Sequence, residues 1–166
     1  MRILAFISLF VVQGCVQTTI FQTTRLQNPS HVEQAFEYIG LEEREDRQVI
    51  QQLVGVNPVR VEWCAAFVSA ILEQNGYSST ESLLARSYIY YGDIVSEEDV
   101  QIGDIMVFTR GQSLWKGHVG FFVGTEMLNG REYYRILGGN QGNEVNIGLY
   151  PKYRLLAIRR PVPYSV

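Results

Sequence analysis

The chain has 166 residues, of which 46% are hydrophobic and 19% charged, which fits one compact domain and leaves no length for two. A net charge of −3 gives no electrostatic basis for nucleic-acid binding. With two cysteines, two histidines and no CxxC or HxxxH spacing, the sequence predicts no zinc site. Glycine patterns typical of nucleotide cofactor sites are also missing, so no cofactor is expected.

The first 29 residues are expected to target and tether the domain. Residues 1–14 combine Arg2 with an apolar run that is too short to cross a bilayer but typical of a signal peptide. The run ends in Val12-Gln13-Gly14-Cys15, which resembles the lipobox of bacterial lipoproteins, where the cysteine is lipidated. We therefore expect a signal peptide over 1–14, lipidated Cys15 with a polar tether over 15–29, and a domain over 30–163.

A lipid on Cys15 would anchor the protein in the bacterial cell envelope, facing the periplasm. Val16 is compatible with sorting to the outer membrane if the host is Gram-negative. Three alternatives remain open: an ordinary signal peptide, a simple apolar start, or a disulfide between Cys15 and Cys64, which an oxidising compartment would permit.

The first half of the domain is predicted to be helical. Apolar periodicity and stop signals predict four helices, over His31–Ile39, Glu42–Val54, Trp63–Leu72 and, from a capping box at Ser78–Glu81, through Tyr91. The third helix ends at Asn75-Gly76 and carries Cys64 in its first turn. Free backbone N–H groups and the helix dipole there favour a reactive thiolate. The alternative is that Cys64 is a small core residue.

The second half changes to strand periodicity. Strands are predicted over Ile105–Phe108, Val119–Met127, Arg131–Leu137, Val145–Ile147 and Leu155–Arg159. Asn129-Gly130 between the second and third strands predicts a two-residue hairpin turn. Helices followed by an antiparallel meander indicate an α+β domain.

His118 begins one of these strands between two glycines, and with Cys64 it would form a thiol–imidazole pair. A two-residue turn places Leu128 opposite Arg131 and His118 opposite Gln141. One bulged residue near Gly124 moves the partner of His118 to Asn140. Either carboxamide would orient the imidazole. Alternatively, the histidine is structural and Gly138-Gly139-Asn140-Gln141 is only a turn.

Five motifs follow in the order seen in papain-like peptidoglycan hydrolases, and they resemble the NlpC-type and CHAP (cysteine-, histidine-dependent amidohydrolase/peptidase) families. The motifs are Trp63-Cys64-Ala65-Ala66-Phe67-Val68, Ala85-Arg86-Ser87, Gly103-Asp104-Ile105-Met106-Val107-Phe108, Gly117-His118-Val119-Gly120 and Leu137-Gly138-Gly139-Asn140-Gln141. The similarity runs from Ser30 to Pro161 and is closest to a bacterial and phage subgroup with the Trp-Cys-Ala-Ala-Phe-Val form.

This resemblance implies a papain-like α+β fold in which Cys64 is the nucleophile, His118 the general base and acid, and Asn140 the third residue. Gln141 and Trp63 are alternates for the third residue and the oxyanion contact. The chain departs from many NlpC-type enzymes, which use a second histidine as third residue. It also departs from many CHAP domains, which carry a glutamate where Gly138 stands.

Three further residues are candidates for the substrate cleft: Trp115, Tyr88 and Arg86, whose guanidinium suits a stem-peptide carboxylate. Core packing is the alternative for the aromatic residues, and an intrahelical pairing is the alternative for Arg86.

The resemblance implies a peptidoglycan hydrolase without metal or cofactor. It would be an endopeptidase or an N-acetylmuramoyl-L-alanine amidase that acts through a thioester. The stem peptide would be the substrate, and the lipid anchor would hold the enzyme at the membrane. Two other classes stay open: an inactive envelope scaffold or binding module, and a protein-directed transamidase or deamidase with the same triad.

Overall fold

A computed structural model describes residues 28–164. The predicted signal peptide, the Cys15 lipidation site, its alternative disulfide and nearly all of the tether lie outside these residues. Within the described range, no helix is long and apolar enough to cross a membrane.

Three α-helices precede a six-stranded antiparallel sheet. The helices are α1 (Ser30–Glu37), α2 (Arg47–Val54) and α3 (Cys64–Gln74), followed by a 3₁₀ helix over Ala85–Tyr90. The strands are β1 (Asp93–Ile94), β2 (Ile105–Thr109), β3 (Gly117–Leu128), β4 (Arg131–Gly138), β5 (Asn146–Pro151) and β6 (Leu155–Arg160), with a short 3₁₀ turn over Lys152–Arg154. The sheet order is β1-β6-β2-β3-β4-β5. The predicted α+β class is confirmed.

The main core lies between the helices and one face of the sheet. Helix α3 buries Phe67, Val68, Ile71 and Leu72 completely, as its apolar periodicity predicts. Side chains alternate along β2, so its two faces serve two cores. Ile105 and Val107 join the helices, whereas Met106 and Phe108 join a smaller cluster on the other face.

The fourth predicted helix is wrong over most of its length. Ser79 accepts a hydrogen bond from the Glu81 N–H, and Glu81 has a φ of +51°, so the capping-box segment turns instead of starting a helix. Only the 3₁₀ helix follows. Helix α2 also starts later than predicted, because the N–H of Glu42 bonds the Asp46 carboxylate and Glu42 bridges to Glu144.

The β3–β4 hairpin fixes the register of the site. Asn129 and Gly130 have φ values of +50° and +73°, and Leu128 faces Arg131, as a two-residue turn requires. The register then shifts by one between Phe122 and Gly124. Of the two predicted registers, the one with a bulge is therefore present, with Val123 and not the expected Gly124 as the extra residue.

Two buried polar contacts hold the ends of the sheet and the first helix. Asp104, at the start of β2, is 2% exposed and accepts two hydrogen bonds from the Arg160 guanidinium, each 2.9 Å long. It also accepts the Gln101 N–H at 2.8 Å. His31 lies in α1 with its Nε2 3.0 Å from the Gly103 carbonyl oxygen, so α1 is attached to the same strand end.

Replacing Asp104 tests this junction. We expect Asp104→Ala to lower the free energy of unfolding by about 2 kcal/mol, because charge-assisted hydrogen bonds are lost while the part-exposed Arg160 regains water. Urea unfolding followed by circular dichroism measures the change. The exposed Glu98→Ala should change the free energy by less than about 0.5 kcal/mol. Equal effects from both variants would contradict this role for Asp104.

Candidate active site

Cys64 is a free, buried thiol at the first residue of α3. Burial raises the pKa of the thiol, while the nearby backbone N–H groups of Val119 and Ala65 act in the opposite direction. The helix start therefore does favour the thiolate, as predicted, but removal of the thiol from water has the larger effect on its pKa. Near neutral pH the sulfur keeps its proton.

His118, the second residue of β3, is 5% exposed. The ring of Tyr150 stacks on the imidazole with 5.0 Å between centroids and 4° between planes, and Phe108 stacks on Tyr150 in turn. Burial lowers the pKa of His118 to about 4, and the positive charge of Arg110 acts in the same direction. The imidazole is therefore neutral near pH 7 and able to accept a proton.

Two contacts bring Cys64 and His118 into one site. The backbone N–H of Val119, the residue after His118, is directed at the Cys64 sulfur. Tyr150, which stacks on His118, also lies near the sulfur: burial raises the pKa of the phenol, and a negative charge on Cys64 adds to the effect. The cysteine and the histidine therefore lie near each other, with Cys64 lining one cavity, His118 lining a second, and Arg110 lining both.

Gln141 is the residue that holds the imidazole. His118 Nε2–H donates to Gln141 Oε1 at 3.1 Å. The amide nitrogen of Gln141 faces four oxygen atoms, two on Asn146 at 2.7 and 2.9 Å and the Ile136 and Gly138 carbonyls at 3.2 Å. This environment fixes which end of the amide faces the ring. The imidazole therefore carries its proton on Nε2 and leaves Nδ1 free to act as a base.

Asn140, predicted as the third residue, points elsewhere. Its Nδ2 donates to Glu62 Oε2 at 2.8 Å. The bulge does place Asn140 in line with His118, but β4 ends at Gly138 and Asn140 has a φ of +57°. This left-handed residue turns the chain out of the ladder, so the next side chain, Gln141, reaches the imidazole.

The structure excludes two predicted aromatic candidates from the cleft. Trp63 is fully buried, and its indole N–H donates to the Glu43 carboxylate at 3.1 Å, so it is not available as an oxyanion contact. Tyr88 is also fully buried and bonds the Ser69 hydroxyl at 2.8 Å. Both residues belong to the main core between the helices and the sheet.

Arg86 and Trp115 belong to one wall of the site. The Arg86 guanidinium donates to the Lys116 and Ser113 carbonyls at 2.8 and 2.9 Å, so it supports the loop before β3 and does not make the alternative intrahelical pairing. Trp115, on that loop, is 65% exposed and lines a cavity of about 180 Å³ together with Cys64.

Sequence reasoning missed the charged residues around the pair. Arg110 follows β2 and forms an ion pair with Glu62, which immediately precedes Trp63 and also binds Asn140. The position of Glu62 beside the cysteine motif was a usable signal. Arg110 had none, because only the folded sheet brings the end of β2 to the site. No group of three or more metal-binding side chains occurs within residues 28–164.

With this geometry in place, the chain can be compared with known proteins. A CHAP domain model matches residues 56–140, more than half of the chain, so the chain belongs to the CHAP domain family. An NlpC/P60 family protein from Bacillus cereus ATCC 10987 has a similar crystal structure, with 18% identity and a TM-score of 0.51. The match covers 82% of this chain and 42% of that protein. No curated protein matches.

These comparisons confirm the predicted family resemblance and the papain-like α+β fold. The chain spans less than half the length of the Bacillus protein. CHAP and NlpC/P60 proteins are in general cysteine amidases or peptidases. Membership in the family points in general to a peptidoglycan hydrolase type of function.

The two carboxamides can be separated by mutation. We expect Gln141→Ala to lower kcat on peptidoglycan on the order of 100-fold with little change in KM, because the imidazole loses the partner that fixes its tautomer. Asn140→Ala, which removes only an exposed contact to Glu62, should lower kcat less than about fivefold. Dye release from labelled peptidoglycan gives both constants. A larger effect at Asn140 would refute this assignment.

The protonation state of the pair can be measured directly. Because burial raises the thiol pKa and lowers the imidazole pKa, alkylation of Cys64 by iodoacetamide should accelerate only above the ordinary thiol range, about pH 8.5. The rate is followed by mass spectrometry in a form that begins after Cys15, with free cysteine as reference. A rate plateau between pH 4 and 7 would instead reveal a thiolate–imidazolium pair.

Proposed function

We propose that this protein hydrolyses an amide bond of peptidoglycan, in the stem peptide or between sugar and peptide, through a thioester on Cys64. The observation that carries the proposal is that the Val119 N–H and the Tyr150 ring bring a buried thiol near a neutral imidazole, which a fixed carboxamide holds. Membership in the CHAP family supplies the substrate class.

The proposed reaction begins with a neutral pair. His118 Nδ1 takes the thiol proton as the Cys64 sulfur attacks the amide carbon, and backbone N–H groups at the start of α3 stabilise the oxyanion. The imidazolium then gives its proton to the amide nitrogen, the C–N bond breaks and the amine leaves. Water, deprotonated by His118, hydrolyses the thioester and restores the thiol.

Gln141 is proposed as the third member of the catalytic site, acting on the imidazole and not on the substrate. Its carbonyl oxygen holds Nε2–H, so the ring presents Nδ1 throughout the cycle. The hydrogen bond also favours the protonated imidazole, against the much larger effect of burial. It therefore helps most at the moment when His118 carries the proton.

The cellular setting is proposed from the sequence. A lipid on Cys15 would hold the enzyme on a membrane of the bacterial envelope, and the polar tether to residue 29 would let the domain reach the wall. The Gram-negative outer membrane fits the residue at position 16.

Digestion of purified peptidoglycan tests the hydrolase. A soluble form beginning after Cys15 should release new fragments that are absent with Cys64→Ala, because the variant lacks the nucleophile. Mass spectrometry identifies the new termini and so separates an endopeptidase from a sugar–peptide amidase. No fragments from several wall types under reducing conditions would refute the proposal and favour an inactive scaffold or a protein-directed acyl transferase.

A further inference from the structure

The two cavities beside the catalytic pair differ in chemistry. The cavity next to Cys64, about 180 Å³, is lined by the apolar side chains of Leu83, Leu84, Ala85 and Trp115 and also by charged residues of both signs, Glu62, Arg110 and Lys116. The groove next to His118, about 280 Å³, is lined by two arginines, Arg110 and Arg154, and by no carboxylate. The Cys64 side therefore combines apolar surface with charges of both signs, whereas the His118 side carries positive charge alone.

Arg154 supplies a fixed positive charge to this groove. Its Nε and one terminal nitrogen donate to the Thr109 carbonyl at 3.1 and 2.6 Å, and its guanidinium lies 5.7 Å from the ring centroid of Tyr150. Among residues 28–164, no carboxylate lies within ion-pair distance of Arg154. Its charge is therefore held in place without an acidic partner of its own.

Arg110 stands where the two cavities meet and lines both. Its ion pair with Glu62 uses one terminal nitrogen, and Glu62 shares the same carboxylate oxygen with Asn140. The Arg110 side chain remains 45% exposed. The two positive charges of the arginines therefore exceed the one negative charge of Glu62 at the edge of the groove.

The chemistry of the pair assigns the two halves of the substrate. The acyl half becomes bound to sulfur and lies beside Cys64, whereas the amine half receives its proton from the imidazole and lies beside His118. We propose that the groove at His118 is a subsite for a carboxylate on the leaving amine half, bound by Arg154 together with Arg110. A planar guanidinium matches a carboxylate in both charge and geometry.

This inference rests on the proposed function and narrows the range of amide bonds that the enzyme would cleave. The preferred substrate would be an amide between an acyl group with a small apolar surface and an amino acid that keeps a free carboxylate. Protein deamidation, which releases ammonia, would leave the cationic groove unused.

Binding to an inactive protein tests the subsite without turnover. Titration calorimetry with Cys64→Ala would compare acetyl-L-alanyl-D-alanine, whose single carboxylate lies on the amine half, with its C-terminal carboxamide. We expect the carboxylate peptide to bind at least about tenfold more tightly, which corresponds to about 1.4 kcal/mol. In Cys64→Ala/Arg154→Gln this ratio should fall towards one, whereas the control Cys64→Ala/Arg131→Gln, at the exposed tip of the hairpin and outside both cavities, should keep it.

The carboxamide peptide also reports on folding. If Arg154→Gln removes only the charge, the affinity for the carboxamide peptide should be unchanged. If the substitution disturbs folding, the affinity for both peptides should fall. In that case Arg110→Gln serves as the second variant. Equal affinities in Cys64→Ala, no binding of either peptide, or a preference that survives both arginine substitutions would overturn the inference. Fragment release without a carboxylate preference would overturn only the subsite, and a preference without fragment release would overturn only the hydrolase.

Discussion

The close approach of β4 to the cysteine helix is the contact on which the site depends. A Cβ atom at Gly139 would lie 2.3 Å from the indole of Trp63, a distance that no side chain tolerates. Because Gly139 has none, the end of β4 lies directly against the residue that precedes Cys64. The next residue, Asn140, then reaches across this contact to Glu62, while Gln141 binds His118 on the neighbouring strand β3. The absence of a Cβ at Gly139 therefore allows the end of β4 and its carboxamide residues to lie against the start of the cysteine helix.

Burial sets the chemical state of the site, and the helix terminus only modifies it. The same desolvation that raises the pKa of Cys64 lowers the pKa of His118, so both groups are neutral near pH 7. A neutral pair does not need a counterion, which suits a wall closed by the stacked rings of Tyr150 and Phe108. Charge would appear only during the reaction, where the N–H groups and Gln141 are already in place.

Much of this arrangement could be predicted from local signals. The Asn129-Gly130 turn predicted the β3–β4 hairpin and its register, and counting residues back from the turn placed a carboxamide opposite His118. The strand alternation could not decide whether Asn140 or Gln141 binds the imidazole. The choice depends on the left-handed φ of Asn140, which arises where the chain leaves the sheet. The fate of Arg86 was equally hidden, since its partners are backbone carbonyls of a loop about thirty residues away. Contacts between side chains and distant backbone groups produce no periodic pattern in the sequence, so the sequence could not predict them.

The bulge at Val123 has a consequence for how the hairpin can change in length. It separates a distal part, from Gly124 to Arg135, from the part that carries His118. Residues gained or lost in facing pairs at the tip would leave the active end untouched. One residue lost between the bulge and His118 would reverse the alternation and turn the imidazole towards the helices. We therefore expect length variation among relatives to occur at the hairpin tip, and in even steps.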